Sequence, residues 1–299
     1  MDTRAILMGL AFAFMWSSAF TSARIIVADA SPLFSLALRF LISGLIGVAI
    51  ARAMGQSWRL TRGQWHATIL FGICQNALYL GLNFIAMQTV EAGLAAIIAS
   101  AMPLLVALAS WAILGERLRP LGMVGLVAGF AGVALIMGSR ISAGVDLFGV
   151  ALCGIGVLAL TFATLAVRGA TSGGNFMMVV GLQMLIGAAV LFVAAPLTET
   201  IRINPTPSFF LAFAYTTLVP GLTATYVWFL LLDRIGAIRA ATFHFLNPVF
   251  GVAIAAALLG ESLGLLDVLG VLIVTAGIFA VQMSRQPAAA KPAPAPGTA

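Results

Sequence analysis

The chain has 299 residues, of which 62% are hydrophobic and only 8% are charged. A soluble globular domain is about half apolar and about a quarter charged, so this composition excludes an ordinary water-soluble core. The net charge of +6 does not indicate nucleic-acid binding, because the basic residues are scattered singly and form no stripe that would follow a phosphate backbone.

Apolar segments of membrane-spanning length follow one another along the chain. A helix needs about 20 consecutive apolar residues to cross a hydrocarbon core of about 30 Å. Segmenting on this scale predicts an all-α membrane protein with ten transmembrane helices. They cover residues 5–27, 33–52, 65–88, 93–114, 120–138, 146–167, 174–195, 207–232, 238–259 and 266–283. Because nine more segments follow the first one, which has no convincing small-residue cleavage site, we interpret it as a retained membrane helix and not as a secretory signal.

The distribution of basic residues predicts the orientation. Under this segmentation, eleven of them fall on the face that carries both termini, and only Arg140 and Arg202 fall on the other face. Basic residues in short loops remain cytoplasmic. We therefore expect a multi-pass protein of a bacterial-type inner (plasma) membrane, with the N- and C-termini in the cytoplasm.

The sequence contains an internal repeat. Shifting it by 145 positions aligns residues 92–137 with 237–282 and gives thirteen identities. Among them are Pro103 with Pro248, and a Leu-Gly-Glu run that ends at Glu116 in one half and at Glu261 in the other. Five helices per half is an odd number, so the halves insert with opposite orientations, which is the inverted-repeat plan of many secondary transporters.

This repeat divides the chain into two five-helix repeats, over residues 1–142 and 143–284, and a Pro/Ala-rich cytoplasmic tail over 285–299 that is too poor in bulky apolar residues to fold. In the fifth and tenth helices Gly125 and Gly132 match Gly270 and Gly277. Residues seven apart lie on one helix face. Small residues let membrane helices approach closely, so we predict that these faces pack, either between the halves or between protomers.

Several short motifs carry a resemblance to a known family. Trp16 lies in the first helix, Leu38-Arg39-Phe40 in the second, and both Pro-containing helices end in Leu-Gly-Glu. With these marks, residues 5–283 resemble the ten-helix exporters of the drug/metabolite transporter superfamily, which are built from two EamA-type repeats. Within that superfamily the chain is most similar to the aromatic amino acid exporters.

The resemblance implies a mechanism and a place for the site. It implies alternating access between two bundles, around a central cavity lined mainly by the first, third, fourth, sixth, eighth and ninth helices. The second half departs from the family pattern. Gln183 occupies the position equivalent to Arg39, and no tryptophan occupies the position equivalent to Trp16. We therefore expect the two halves to contribute unequally to the site.

The third helix offers the clearest candidates for substrate binding. Polar side chains are costly in a bilayer, so a face that keeps several of them usually borders a cavity or another helix. Asn76, Tyr79 and Asn83 are spaced by three and four residues, which predicts a common face. We interpret this face as substrate-binding, and hydrogen bonding between helices is the alternative.

Prolines mark the candidate hinges. In the ninth helix, His244 and Asn247 directly precede Pro248, which frees a backbone carbonyl one turn earlier. Such backbone is tolerated in a membrane only where protein or a wet cavity satisfies it. We predict that His244 and Asn247 contact substrate and that a set of proline and glycine positions acts in gating, with a plain helix kink as the alternative. The set is Pro103, Pro220, Gly221 and Pro248.

Four more residues complete the predicted binding set: Trp16, Ser100, Thr161 and Tyr226. Trp16 lies near the middle of its helix, where stacking on a ligand and packing into the bundle are both open. The serine and threonine hydroxyls can instead bond their own backbone. Arg39 is a further ionisable candidate, and a role in receiving a substrate carboxylate is the alternative. We interpret it as structural, bonding helix carbonyls or snorkelling, because the resemblance places the second helix toward the periphery of the bundle.

The residues that the chain lacks narrow the function. Every Asp and Glu falls at or near a predicted helix end, so no mid-membrane carboxylate is available to carry protons or to pair with a cationic drug. His244 is the only histidine well inside a helix, and we expect it to contact substrate and not to couple transport to protons. Two histidines and two separated cysteines suggest no metal site, and no catalytic constellation indicates an enzyme.

The sequence therefore predicts a secondary transporter without cofactor or metal. We expect it to export small neutral or zwitterionic metabolites, foremost aromatic and other neutral amino acids, by alternating access. An exporter of other small metabolites or drugs and a pore-like facilitator are the alternatives. The expected partners are a small-molecule substrate and the lipid bilayer, with no nucleic acid, and the protein is either a monomer or a weak homodimer.

Overall fold

The computed structural model describes residues 2–113, 115–167 and 173–284, so the predicted tail at 285–299 lies outside the described residues. Within them, ten helices are long and apolar enough to cross a membrane, which confirms the predicted all-α architecture. In chain order they are α1 (Thr3–Asp29), α2 (Pro32–Ala53), α3 (Arg62–Ala86), α4 (Ala92–Ala112), α5 (Pro120–Ser142), α6 (Leu147–Ala166), α7 (Phe176–Thr198), α8 (Pro207–Ile235), α9 (Arg239–Leu259) and α10 (Leu265–Ser284).

The helices begin and end where the sequence supplies caps. Thr61 and Gln64 form a reciprocal capping box at the start of α3, which satisfies backbone donors that a helix leaves unpaired. Pro32 and Pro120 stand at the first turns of α2 and α5, where a missing N–H costs nothing. Gly260 ends α9 in the left-handed conformation, with φ of 68°, which glycine adopts without steric cost.

The two halves contain matching π-helical segments. In α3 the π segment covers Gly72–Tyr79, and in α8 it covers Thr217–Thr223. The two start positions are 145 residues apart, which is the offset of the sequence repeat. In α8 the cause is Pro220, which has no backbone N–H to donate. Both halves of the repeat therefore carry a π segment at the equivalent position. Such segments occur frequently at functional sites.

A second pair of irregular positions also follows the repeat. In α4 the segment Ala92–Ser100 is separated by Ala101 from Met102–Ala112. In α9 a 3-10 turn at Phe243–Leu246 precedes Asn247–Leu259. The restarts at Met102 and Asn247 are again 145 residues apart, each immediately before the matched proline. The prolines therefore interrupt equivalent helices in the two halves.

Helices α5 and α10 cross at the glycines singled out in the sequence. A Cβ at Gly125 would lie 2.7 Å from the carbonyl oxygen of Gly277, and a Cβ at Gly277 would lie 2.7 Å from that of Gly125. Gly132 and Gly270 form a second reciprocal contact of the same kind, with distances of 2.9 and 3.0 Å. Of the two predicted alternatives, the structure therefore shows packing between the halves of one chain.

Candidate functional site

A small cavity lies between α1, α2, α3 and α8. It encloses about 50 Å³. Its lining consists of Trp16, Ala19, Phe20, Ala23, Arg39, Tyr79, Leu80, Asn83, Phe84, Met87 and Pro220. Small-molecule sites usually measure about 300–1,000 Å³, so this conformation has room for water-sized groups only. Occupation by a metabolite requires the surrounding helices to move apart.

Helix α3 supplies the neutral polar groups of this cavity. Tyr79 and Asn83 are 4% and 1% exposed. The Nδ2 of Asn83 donates a hydrogen bond of 2.7 Å to the backbone oxygen of Tyr79. The Oδ1 of Asn83 has no hydrogen-bond partner in the described part of the chain. The cavity therefore contains a buried acceptor that the protein itself leaves unused.

Asn76, the third predicted residue of this face, lies elsewhere. A Cβ added to Gly187 of α7 would be 2.4 Å from the Cβ of Asn76, so this asparagine packs at the α3–α7 contact. The shared face was inferred from the periodicity of an α-helix, but Asn76 lies inside the π segment, where each turn holds more residues. The wider turn separates Asn76 from Tyr79 and Asn83 around the helix axis.

His244 and Asn247 form a polar pair against α1, beside the cavity and not in its lining. The Nδ1 of His244 and the Nδ2 of Asn247 are 3.0 Å apart. Ser17 of α1 donates from its Oγ to the backbone oxygen of Asn247 at 3.3 Å. The carbonyl oxygen of His244, which Pro248 leaves without its usual donor, accepts from the backbone nitrogen of Asn247, so the break is satisfied within α9.

Four rings, which we call the aromatic cluster, lie next to this pair: Phe12, Trp16, Trp228 and His244. The ring centroids of Phe12 and Trp228 are 4.6 Å apart, and His244 is 5.3 Å from Phe12 and 5.1 Å from Trp228. Trp16 joins the cluster to the cavity, and Phe12 lies one turn nearer the N-terminus. The aromatic cluster therefore adjoins the cavity through Trp16, on the side of the bundle on which α1 begins.

We call that face the terminal face. An ion pair connects α1 and α8 there. Arg234 at the end of α8 donates from its Nε to the Oδ2 of Asp2 at 3.0 Å. Asp2 also caps α1, because its carboxylate accepts from the backbone nitrogen of Ala5 at 2.9 Å. The ion pair therefore joins the start of α1 to the end of α8 at the terminal face.

We expect the Asp2 contacts to give a pH-dependent contribution to stability. The hydrogen bond from Arg234, and then that from Ala5, lower the pKa of Asp2 from 3.8 to about 2. A lowered pKa stabilises the fold above the unfolded value, and this contribution is lost as the pH falls from 3.8 through about 2. At pH 7, Asp2→Ala should lower the Tm more than Asp2→Asn, which keeps a capping oxygen. A wild-type advantage over Asp2→Asn that persists unchanged below pH 2 would contradict this origin.

On the opposite face, Arg24 of α1 separates the cavity from an open vestibule. Its guanidinium donates a hydrogen bond to the backbone oxygen of Met87, and Met87 lines the cavity. Arg24 itself lines the vestibule, which has a volume of about 560 Å³ and also borders Asp29 and Glu91. Different contacts therefore border the cavity on its two faces.

Two charged contacts join the halves at this opposite face. Arg140 lies 2.6 Å from Glu91 and 3.1 Å from Asp267. Glu261, the last residue of the second Leu-Gly-Glu run, accepts from the backbone nitrogens of Ala92 and Gly93 at 2.7 and 2.9 Å. A carboxylate there satisfies unpaired helix donors and interacts favourably with the helix dipole, which explains why glutamate occupies this position.

Glu261→Gln is expected to lower the free energy of unfolding by about 1 kcal/mol, because an amide keeps one acceptor and loses the charge at the helix terminus. Thermal unfolding of the purified protein in detergent measures the change. Asp233→Asn, at an exposed acid near the end of α8, serves as the control and should leave the Tm unchanged. Equal effects of the two substitutions would rule out a specific role for Glu261.

The remaining predicted binding residues do not line the cavity. Ser100 and Thr161 donate to the backbone oxygens of Ala96 and Val157, at 2.6 and 2.8 Å, so their hydroxyls are satisfied within their own helices. Tyr226 is 46% exposed on the outside of α8.

Of the predicted hinge positions, two touch the cavity region and two mark the helix breaks. Pro220 lines the cavity, and a Cβ at the neighbouring Gly221 would lie 3.6 Å from Nη2 of Arg39. Pro103 and Pro248 are buried just after the interruptions of α4 and α9. All four therefore lie at irregular backbone.

Two features of this region were not part of the predicted binding set. Arg39, assigned a structural role on the periphery, lines the central cavity. Ser18 of α1 and Tyr215 of α8 lie 2.8 Å apart through their hydroxyl oxygens. The run Trp16-Ser17-Ser18 in the middle of a membrane helix was a usable signal for this polar region. No group of three metal-ligating side chains occurs within residues 2–113, 115–167 and 173–284.

Ten membrane helices in two inverted halves, around a small cavity lined mostly by apolar residues together with Arg39, Tyr79 and Asn83, define a membrane transporter of the inverted-repeat class. The chain belongs to the EamA-like transporter family, whose profile matches residues 3–138 and again 147–283. This double match confirms the family resemblance and the duplication.

Similar proteins extend over nearly the whole chain. The "Uncharacterized transporter YvbV" of Bacillus subtilis is 27% identical over 93% of this chain and 92% of its own length. The "Uncharacterized inner membrane transporter YedA" of Escherichia coli K12 is also 27% identical, over 94% and 92%. A solved crystal structure shares the fold, with a TM-score of 0.68 at 23% identity over 95% of this chain and 98% of that one. Neither named relative specifies a substrate.

Proposed function

We propose that the protein exports small neutral or zwitterionic metabolites, foremost aromatic and other neutral amino acids, by alternating access through the central cavity. The observation that carries this proposal is the composition of the cavity wall. It combines the ring of Trp16 with the phenol of Tyr79 and the amide of Asn83. An aromatic face with a few fixed polar groups suits a ligand that has both a ring and polar ends.

Alternating access is supported by the different closures on the two faces. Toward the terminal face, the aromatic cluster and the Asp2–Arg234 pair close the path. Toward the opposite face, Arg24 and Met87 close it. A carrier must open one closure while the other holds, and the matched π segments and proline breaks give each half a point at which its helices can bend.

The proposal includes an orientation, a domain division and an oligomeric state. Both termini are cytoplasmic in an inner membrane, because basic loops remain on that side, and the repeats cover 1–142 and 143–284. The glycine face that was a candidate for contact between protomers is occupied within the chain by Gly125, Gly132, Gly270 and Gly277. This occupation favours a monomer over a weak homodimer.

Counterflow in proteoliposomes tests the function. Purified protein is reconstituted with unlabelled amino acid inside, and uptake of labelled phenylalanine or tryptophan is compared with that of alanine, lysine and glutamate. Saturable exchange confined to the aromatic members supports the proposal. Exchange of all neutral amino acids keeps the carrier and removes the aromatic preference. Exchange of none of them overturns the amino acid assignment and directs the search to other metabolites and drugs.

A proton gradient is expected to have no effect on this exchange. His244 has an asparagine and two aromatic rings as its described neighbours, and no mid-membrane carboxylate accompanies it to relay protons. We therefore expect His244→Gln to reduce substrate exchange without changing its response to an imposed pH difference. Uptake that depends on the gradient in the wild type and loses this dependence in His244→Gln would contradict facilitated transport.

A further inference from the structure

Arg39 is a buried cation for which the described chain provides no counter-ion. It is 6% exposed, and its Nε has no hydrogen-bond partner among the described residues. All nine acidic residues lie within the described ranges, and none forms an ion pair with Arg39 there. The contact seen is with the neighbouring ring, since the guanidinium carbon lies 5.1 Å from the centroid of Phe40.

Two ordinary structural roles of a membrane arginine are not seen among the described contacts of Arg39. A snorkelling arginine reaches the interface and exposes its head group, whereas Arg39 is buried beside the central cavity. An arginine that braces a helix donates to backbone oxygens, as Arg24 does to Met87. An unpaired charge within a bilayer is costly and usually marks a substrate pathway.

The same cavity contains an unused group of opposite polarity. The Oδ1 of Asn83 is buried without a hydrogen-bond partner in the described chain, and Asn83 and Arg39 both line the cavity. A guanidinium offers donors that match a carboxylate in two parallel bonds. An amide oxygen accepts a hydrogen bond from an ammonium group.

We propose that Arg39 binds the carboxylate of the transported molecule and that Asn83 Oδ1 accepts from its ammonium group, so that the site selects zwitterionic amino acids over amines and amides of the same shape. The site is incomplete until a substrate supplies both charges. This inference rests on the proposed transport function and specifies the substrate class of the same cavity.

Arg39 also lies beside the irregular backbone of α8. A Cβ at Gly221, in the π segment of α8, would be 3.6 Å from Nη2 of Arg39 and 3.5 Å from Oγ of Ser43. Any larger side chain at position 221 would therefore stand beside the guanidinium. Glycine keeps this approach open, so that a bound carboxylate and the irregular part of α8 can contact the same cation.

The test uses four ligands of one shape: phenylalanine, 3-phenylpropionate without the amine, phenylalaninamide without the carboxylate, and 3-phenylpropanamide with neither charge. Competition with labelled phenylalanine counterflow and ligand-induced change in Tm are measured for the wild type, Arg39→Lys and Arg39→Gln. Arg52→Gln, at an exposed arginine of the same helix, is the control.

We expect the wild type to prefer phenylalanine to phenylalaninamide by about 10- to 100-fold, the range for hydrogen bonds to a charged group. Arg39→Gln should remove this preference, Arg39→Lys should keep part of it, and Arg52→Gln should leave it intact. Asn83→Leu should instead remove the preference for phenylalanine over 3-phenylpropionate. The Tm change of each variant with ligand shows that it is folded and binds.

Two outcomes would overturn the carboxylate site. One is equal competition by phenylalanine and phenylalaninamide in the wild type, and the other is an unchanged preference in a folded Arg39→Gln protein. Both outcomes leave the proposed transport function intact, because counterflow is still observed. Failure of the proposed function is distinguishable, since the wild type would then exchange none of the four ligands.

Discussion

Replacing Asn83 by leucine is expected to reduce substrate exchange by about tenfold or more, while the protein remains at least as stable as the wild type. The buried Oδ1 of Asn83 has no partner in the described chain, and an unsatisfied buried polar atom costs about 1–3 kcal/mol. Leucine removes this cost and fills a similar volume. It also removes the acceptor that a substrate would use. Counterflow and the Tm in detergent are measured on the same preparation.

The matched control is Thr161→Val in α6. Thr161 was also predicted to bind substrate, but its hydroxyl donates to the backbone of its own helix at 2.8 Å. Valine has nearly the same shape, and we expect exchange to stay close to the wild-type rate. If Thr161→Val impairs exchange as strongly as Asn83→Leu, or if Asn83→Leu exchanges normally, the cavity described above is not where the substrate binds.

Gly125→Leu is expected to have the largest effect on stability, with a loss of about 3 kcal/mol or more, as overpacking of a close contact requires. A Cβ at this position would lie 2.7 Å from a backbone oxygen and 2.9 Å from a backbone nitrogen of α10. Neither atom can move without displacing the helix, so the halves must separate. The Tm and the size-exclusion profile in detergent report this change.

Gly138→Leu provides a control on the same helix. No atom lies within 4 Å of a Cβ at Gly138, so leucine there changes helix propensity and size without touching α10. It should behave as the wild type or slightly better, because leucine favours helix more than glycine does. A folded, monodisperse Gly125→Leu protein would refute the close crossing of α5 and α10.

The architecture could be predicted from the sequence because it depends on averages over many residues. Twenty-residue apolar segments, the 145-residue offset and the paired glycines each involve a whole helix, and a single irregular turn does not alter them. The matched glycines predicted that these helix faces pack. Only the structure could decide whether the packing is between the halves of one chain or between two protomers. The breaks before Pro103 and Pro248 were predicted for the same reason, since proline acts on its own helix.

The site was less predictable because it depends on the direction of single side chains. Asn76 was placed by α-helical spacing, and it lies in a π segment that changes this spacing. In α3 no proline announces the π segment, so local sequence gave no warning. Arg39 was assigned a structural role over the alternative of receiving a substrate carboxylate, because the cost of a buried charge is clear from sequence but the absence of a partner is a property of the assembled bundle.

The reciprocal contacts of α5 and α10 have the geometry of an isologous dimer interface, in which the same patch on each partner meets itself across a two-fold axis. Gly125 meets Gly277 as Gly277 meets Gly125, although both belong to one polypeptide. The covalent connection makes this association intramolecular, so the interface does not depend on protein concentration. It also frees the two partners from having identical sequences. Arg39 is matched by Gln183 in the other half, and Trp16 has no matching tryptophan there. Two copies of a single subunit could not differ in this way.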